Sequence, residues 1–213
     1  MNLASSDDAI RKTSINHCVN GLKLSAQVGA PFFSAHAGFC IDPKPSELGN
    51  ELKKENHIDR NLHWNLFLQS VNEVLEKTKD LNVDFLIENN VLAKMNVYAD
   101  GTNPLLCVEV DEMTKLIDSI KNPRLHILLD TAHLKVSANT LGFSLDEAMK
   151  KIKPFIKCVH HSDNNGLLDT NDAINQNYWF LKYMDDYKNI VHVLEVKKQN
   201  TEQINFQFNL LKQ

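Results

Sequence analysis

Short apolar runs that alternate with helix-period segments, each run closing on a polar side chain, constrain this chain more than any other feature. Five runs rich in β-branched or aromatic residues cover 31–35, 83–87, 125–129, 155–159 and 190–194. Each is short enough for a buried strand of a parallel sheet. Helical spacing of apolar residues covers 6–28, 61–81, 110–120, 144–153 and 174–187, with a last segment over 201–211. Local signals support these boundaries. Ser5 or Ser6 ahead of Asp7 and Asp8 makes an N-cap with acidic first-turn residues, and Gly29 followed by Pro31 stops that helix. Ser144 with Glu147 forms a capping-box pattern, and Asn122-Pro123 and Pro154 interrupt helix just upstream of strands. Such alternation predicts a parallel sheet covered by helices, either an open doubly wound sheet or a barrel.

The residues that close the five runs are His36, Glu88, Asp130, His160 and Glu195. In parallel α/β architectures the active site gathers at the carboxyl ends of the strands, where each strand can lend one side chain to a common centre. Two Glu, one Asp and one imidazole form a mixed oxygen and nitrogen set suited to Mn²⁺, Co²⁺, Mg²⁺ or Zn²⁺, with water or substrate oxygens completing the shell. The bland alternative is that these side chains only satisfy helix N-termini in the βα loops. Five in register weigh against it. The thiols stay out of the set: Cys18, Cys40, Cys107 and Cys158 are widely spaced without a C-x-x-C pair, which predicts reduced cysteines and no structural zinc site.

Parity sorts the remaining histidines. His160 and His161 are adjacent on a strand, so only one of them can look toward the centre. His126 shares the parity of Asp130 but sits about 13 Å away along the strand, too far to join it. His192 has the opposite parity to Glu195 and should face the helices, while His17, His57 and His63 fall in helical or loop segments. His133 follows Asp130 by three residues, where a loop can fold back and present it as a ligand or a substrate contact.

At 213 residues the chain is slightly short of the roughly 250 that a complete (β/α)₈ barrel usually needs. Hydrophobic residues at 43% and charged residues at 23% exclude disordered and collagen-like classes. No apolar run approaches the roughly 20 residues of a membrane span, and the polar start has no signal-peptide core, so a cytoplasmic protein is expected. A formal net charge of -4 disfavours nucleic acid as a partner, and Lys150, Lys151, Lys153 and Lys157 read as a solvated helix face.

The motifs resemble the xylose-isomerase-like barrel superfamily, which holds sugar isomerases, sugar epimerases and type-IV apurinic endonucleases. Asn2-Leu3-Ala4-Ser5, with Arg11 and Ser14, is similar to the stretch after that family's third strand. Ser34-Ala35-His36-Ala37-Gly38-Phe39 resembles its fourth-strand motif, Ile87-Glu88-Asn89 the fifth, and Leu129-Asp130-Thr131-Ala132-His133 the sixth. Val159-His160-His161-Ser162-Asp163 and Leu194-Glu195 are similar to strands seven and eight. The resemblance implies a TIM barrel, N-terminally incomplete, with strands four to eight present in a single domain over 1–213 that lacks the first three βα units. It implies a divalent metal held by Glu88, Asp130, His160 and Glu195, with His160 preferred over His161 because it stands three residues before Asp163. In the nuclease branch the residues matching His36 and His133 bind additional zinc, but the D-x-H that follows strand seven reads Asp169-Thr170-Asn171 here. Asn replaces a zinc imidazole poorly.

The expected activity is isomerisation or epimerisation of a small carbohydrate, free or phosphorylated, by proton transfer beside a carbonyl. Glu88 and Glu195 would be the proton acceptor and donor, and His36, His133, Asp163 and Lys197 the substrate contacts. Asn89 is expected to orient hydroxyls or water. The rival readings are a metallo-phosphodiesterase on abasic DNA and an inactive binding subunit. Five strands cannot close an eight-stranded barrel, so self-association through exposed edges is expected.

Overall fold

All five strands form in the computed structural model, which describes residues 1–54 and 58–212; His57 lies outside the described residues. They are β1 Phe32–His36, β2 Asp84–Glu88, β3 Leu125–Asp130, β4 Ile156–His161 and β5 Val191–Leu194, paired in parallel in that order. The sheet curls into a half-barrel, a partial TIM barrel in which β1 and β5 each have one hydrogen-bonded neighbour.

Helices α1 Asp8–Val28, α2 Arg60–Lys77, α3 Val110–Ile120, α4 Thr131–Leu141 and α5 Leu145–Ile152 lie between the strands, with α6 Met184–Tyr187 before β5 and α7 Thr201–Leu210 after it. Asp7 caps α1 by accepting from the Ala9 and Ile10 amides, and Gly29, at φ 72°, ends it in the left-handed conformation that glycine tolerates. Ser144 and Asn200 cap α5 and α7. Among the described residues no helix is long and apolar enough to cross a membrane.

Two segments depart from expectation. Residues 174–187 do not form one helix: a short 3-10 turn at Leu181–Tyr183 and the single-turn α6 follow an irregular stretch. Tyr178, Trp179 and Phe180 instead pack ring against ring with His161, Tyr183 and Tyr187, so aromatic burial overrides helical spacing. The segment after Asp130 is not a folded-back loop but α4, which begins at once because the Asp130 side chain accepts from the His133 amide as its N-cap.

The two sheet faces are packed differently. Phe85, Ile87, Ile127, Leu129 and Val159 face the helices and belong to the main core. Leu86, Leu128 and Cys158, with Phe32 against them, form a small apolar layer on the other face. It is the layer just below the strand-end polar residues. One irregularity sets the alignment above it. Ile127 pairs with Ile156 but Leu128 pairs with Cys158, so Lys157 is an extra, unpaired residue. That one-residue bulge puts His160 opposite Asp130, where an unbroken register would put Val159.

The N-terminal segment is locked to the loop after β1. Asn2 donates to the carbonyls of Phe39 and Ile41 and accepts from the Phe39 amide. Gly38 passes so close that a Cβ there would lie 2.4 Å from the Ala4 Cβ. Gly38→Ala is therefore expected to destabilise by about 1–3 kcal/mol through overpacking, read as a lower urea midpoint. An unchanged midpoint would show that this contact is not formed.

Candidate metal centre

Four strands aim one side chain each at a common point. Glu88, Asp130, His160 and Glu195 each offer a ligand atom, and these atoms lie within 4.8 Å of one another. His160 Nδ1 is 2.8 Å from Glu195 Oε2 and 3.4 Å from Glu88 Oε1. Yet this nitrogen makes no directed hydrogen bond, and neither does the buried Asp130 Oδ2. Buried polar atoms without partners carry a large desolvation cost, and here the orphans meet among hard oxygen donors. The donor set and the two orphaned atoms fit a divalent cation.

The protonation states follow from that crowding. Burial alone would deprotonate His160, but the Glu195 and Glu88 carboxylates outweigh it and raise its pKa to about 10. Burial pushes the fully enclosed Asp130 up to about 6, with the neighbouring His133 opposing the rise. Burial also pushes Glu88 upward, but His160, His36 and His133 together leave it below the usual carboxylate range. Carboxylates this close can stay ionised only beside positive charge.

Asp130 is held from two sides. Its Oδ1 accepts from the His133 amide at 2.8 Å, which leaves Oδ2 free toward the centre. Asn89 clamps its backbone, accepting from the Asp130 amide at 2.8 Å and donating to its carbonyl at 3.1 Å. The expectation that Asn89 orients hydroxyls is thus replaced by a clamp on a candidate ligand. Thr131, on the first turn of α4, donates to the His160 carbonyl at 3.0 Å and contacts the Tyr178 hydroxyl.

His133 and His36 sit at the edge of the same centre. His133 places Nδ1 2.8 Å from the Asn89 carbonyl and Nε2 3.4 Å from Asp169 Oδ2. Burial disfavours its charge, but Asp130 and Asp169 raise its pKa to about 10. His36 stands at the mouth, 3.8 Å from Glu88 Oε2 and with its ring 5.9 Å from that of His133. With Glu88 these two histidines form a second, overlapping group that could hold an ion.

His161 points the other way, as parity required. Its Nε2 is 2.8 Å from His192 Nδ1 and its Nδ1 is 3.0 Å from the Tyr178 hydroxyl. Burial, aided by His192 and His160, holds its pKa down to about 3, so it is neutral. His126 pairs with Asp84 at 3.7 Å, two strand layers below the centre, and His63 bonds the Ala4 carbonyl. Two expected substrate contacts are not among the cavity's lining residues. Asp163 is turned to Lys135, at 2.5 Å, and does not line the cavity beside the centre. Lys197 donates its amide to the Asn171 carbonyl and is not among the cavity's lining residues either. Loop geometry after the strand end decides both positions, and strand parity does not extend into a loop.

Tyr178 as the brace behind Thr131 escaped the sequence reading, and Asp169 entered it only as the first residue of the D-x-H counterpart, not as the partner of His133. Both sit in the irregular 162–180 segment, where periodicity gives no signal.

A half-barrel of parallel strands with a group of side chains at the strand ends that could hold a cation defines a class, the α/β barrels with their site at the strand ends. Within it, the chain belongs to the Xylose isomerase-like TIM barrel family, whose match covers residues 1–205. It is 25% identical over 231 aligned positions to a probable endonuclease 4 of Sulfurihydrogenibium sp., covering 99% of this chain and 73% of that protein. A probable endonuclease 4 of Persephonella marina is 30% identical over 170 positions, and there the chain spans 51% of the relative. Among solved structures it resembles a D-tagatose 3-epimerase-like protein, with a TM-score of 0.75 and 18% identity over 100% of this chain and 72% of that one. It also resembles an AP endonuclease, family 2, from Brucella melitensis, with a TM-score of 0.61 and 15% identity over 94% and 68%. At such identities the structural likenesses carry the fold alone.

Asp130→Asn and His160→Ala are expected to abolish stoichiometric binding of Mn²⁺, Co²⁺ or Zn²⁺ in metal analysis, whereas Lys197→Ala retains it. Metal at a hundred times its Kd should stabilise the wild type by about 2.7 kcal/mol. Retention of metal by both site variants would contradict the assignment.

Proposed function

We propose that this site moves a proton on a small carbohydrate ketone, as an isomerase or an epimerase. The observation that carries the reading is that Glu88 and Glu195 both approach His160 Nδ1, at 3.4 and 2.8 Å, and both line the cavity. A carbon beside a carbonyl loses its proton only if a base reaches the carbon while an electrophile polarises the oxygen. A divalent cation held by Glu88, Asp130, His160 and Glu195 supplies that electrophile when bound.

The protein's own groups do the rest. One of the two glutamates takes the proton and generates an enediolate. The other, after taking a proton from solvent, delivers it to the opposite face for epimerisation, or to the neighbouring carbon for isomerisation, and the first glutamate then releases its proton to solvent. His133, protonated and anchored by Asp169 and the Asn89 carbonyl, faces the cavity as a donor to a substrate oxygen. His36, half exposed at the mouth, is a second contact.

The rival reading is metal-dependent cleavage of abasic DNA, favoured by the names of the sequence relatives. Against it stands Asn171, which lines the cavity where an imidazole would be needed for a further ion, and the net charge of -4.

In deuterated buffer, turnover of a ketose panel by the metal-loaded protein is expected to leave deuterium on the carbon beside the carbonyl. Glu195→Gln should slow it about a hundred-fold to ten-thousand-fold, with metal content measured in parallel. Turnover without label indicates a hydride shift and contradicts proton transfer. Cleavage of an abasic-site duplex that is lost in Glu195→Gln, with no turnover of any sugar, overturns the reading altogether.

A further inference from the structure

Behind the strand ends, on the helix-facing side of the sheet, runs a chain of polar side chains that the centre itself does not use. Thr131 donates to the His160 carbonyl at 3.0 Å and contacts the Tyr178 hydroxyl. That hydroxyl lies 3.0 Å from His161 Nδ1, and His161 Nε2 lies 2.8 Å from His192 Nδ1. His192 Nε2 ends the chain 3.0 Å from the Tyr187 carbonyl. Thr131 and His161 are fully buried and Tyr178 nearly so, so water competes little for these contacts. The rings of Tyr178 and Phe180 also meet the His161 ring edge-on.

The members of this chain adjoin the candidate ligands. Thr131 follows Asp130, and His161 follows His160. The His161 carbonyl accepts from the Glu195 amide at 2.9 Å. Asn89, next to Glu88, holds the Asp130 amide and carbonyl. Each neighbouring pair of ligands is thus joined by one polar link: Asn89 from Glu88 to Asp130, Thr131 from Asp130 to His160, and His161 from His160 to Glu195.

The last of these links secures the least constrained ligand. β5 has a single hydrogen-bonded neighbour, and Glu195 stands one residue past its end. A site of defined geometry needs its side chains held to within roughly 0.5 Å, which an edge strand paired on one side alone is poorly placed to supply. The contact between His161 and His192 adds a side-chain tie between β4 and β5 to the backbone ladder. Neighbouring side chains point to opposite faces of a strand, so turning β4 about its axis would move His160 and His161 together. Pinning both nitrogens of the His161 ring behind the sheet therefore fixes His160 in front of it. Burial holds the His161 pKa down to about 3, so the ring acts by position and brings no charge to the centre.

We propose that Thr131, Tyr178 and His161 are positioning residues that set the coordination geometry of the cation, with the Tyr178 hydroxyl as the junction between them. The proposal rests on the assignment of the cation centre to Glu88, Asp130, His160 and Glu195 and is independent of the substrate.

Titration of the whole chain with Co²⁺, followed by visible absorption, tests this, because the bands report coordination geometry. Tyr178→Phe keeps the ring and removes the junction. It is expected to weaken Co²⁺ binding about ten-fold to a hundred-fold and to shift the bands. Thr131→Val should do the same, and Thr131→Ser, which keeps the hydroxyl, should restore the wild-type affinity and spectrum. Tyr187→Phe is the control within the same aromatic cluster, because the Tyr187 hydroxyl has no hydrogen-bond partner. It should match the wild type, and circular dichroism checks that each variant folds. Wild-type affinity and spectrum in both Tyr178→Phe and Thr131→Val overturn the inference, as does an equal change in Tyr187→Phe or no recovery in Thr131→Ser. With Co²⁺ bound tightly by the wild type, those results leave the cation centre standing and remove the positioning role alone. No Co²⁺ binding by the wild type removes both.

Discussion

Three carboxylates that converge on one imidazole at the open end of a parallel sheet set the terms for everything around them. Like charges so close destabilise one another, and burial strengthens the repulsion by removing water. In the metal-free protein the protons on His160 and His133, both with pKa values raised to about 10, supply the opposing charge. A divalent cation meets the same need more fully, and its binding displaces the proton from a liganding imidazole. Asp130 Oδ2 and His160 Nδ1, which have charged neighbours but no hydrogen bond, mark where the compensation by hydrogen bonds ends.

The sheet delivers these groups because small backbone features act together. A bulge at Lys157 slides β4 by one residue and sets His160 opposite Asp130. The immediate start of α4 turns one Asp130 oxygen to the His133 amide and leaves the other to the centre. Asn89 fixes the Asp130 backbone, and Thr131 ties the same turn to the His160 carbonyl. Glu195 follows directly, since its amide donates to the His161 carbonyl and continues the β5 ladder one step past the strand. A centre assembled from strand ends constrains the metal more tightly than the reaction. The cavity walls come from loops, which vary independently of the barrel.

Sequence alone carried the parallel strands and the four side chains that converge at their ends, because period-two parity and strand-end placement are local properties of the chain. Parity also separated His160 from His161 and placed His192 among the helices, and the structure agrees in each case. It failed where the chain leaves regular structure. The 174–187 segment has helical spacing, but its aromatic rings gain more by packing around His161 than by forming one helix. Asp163 was expected from the strand-seven resemblance and Lys197 from its parity with Glu195, yet the first turns to Lys135 and neither lines the cavity. Asn89 looked like a substrate contact because it adjoins Glu88. Its side chain is consumed by the Asp130 backbone, a long-range contact with no sequence signature.

The central claim is the single cation centre at the strand ends, and anomalous diffraction from crystals soaked in Mn²⁺ tests it most directly. The account predicts one strong peak enclosed by Glu88, Asp130, His160 and Glu195. A peak confined to the outer group of His36, Glu88 and His133, or no peak at either place with the side chains ordered, would contradict it.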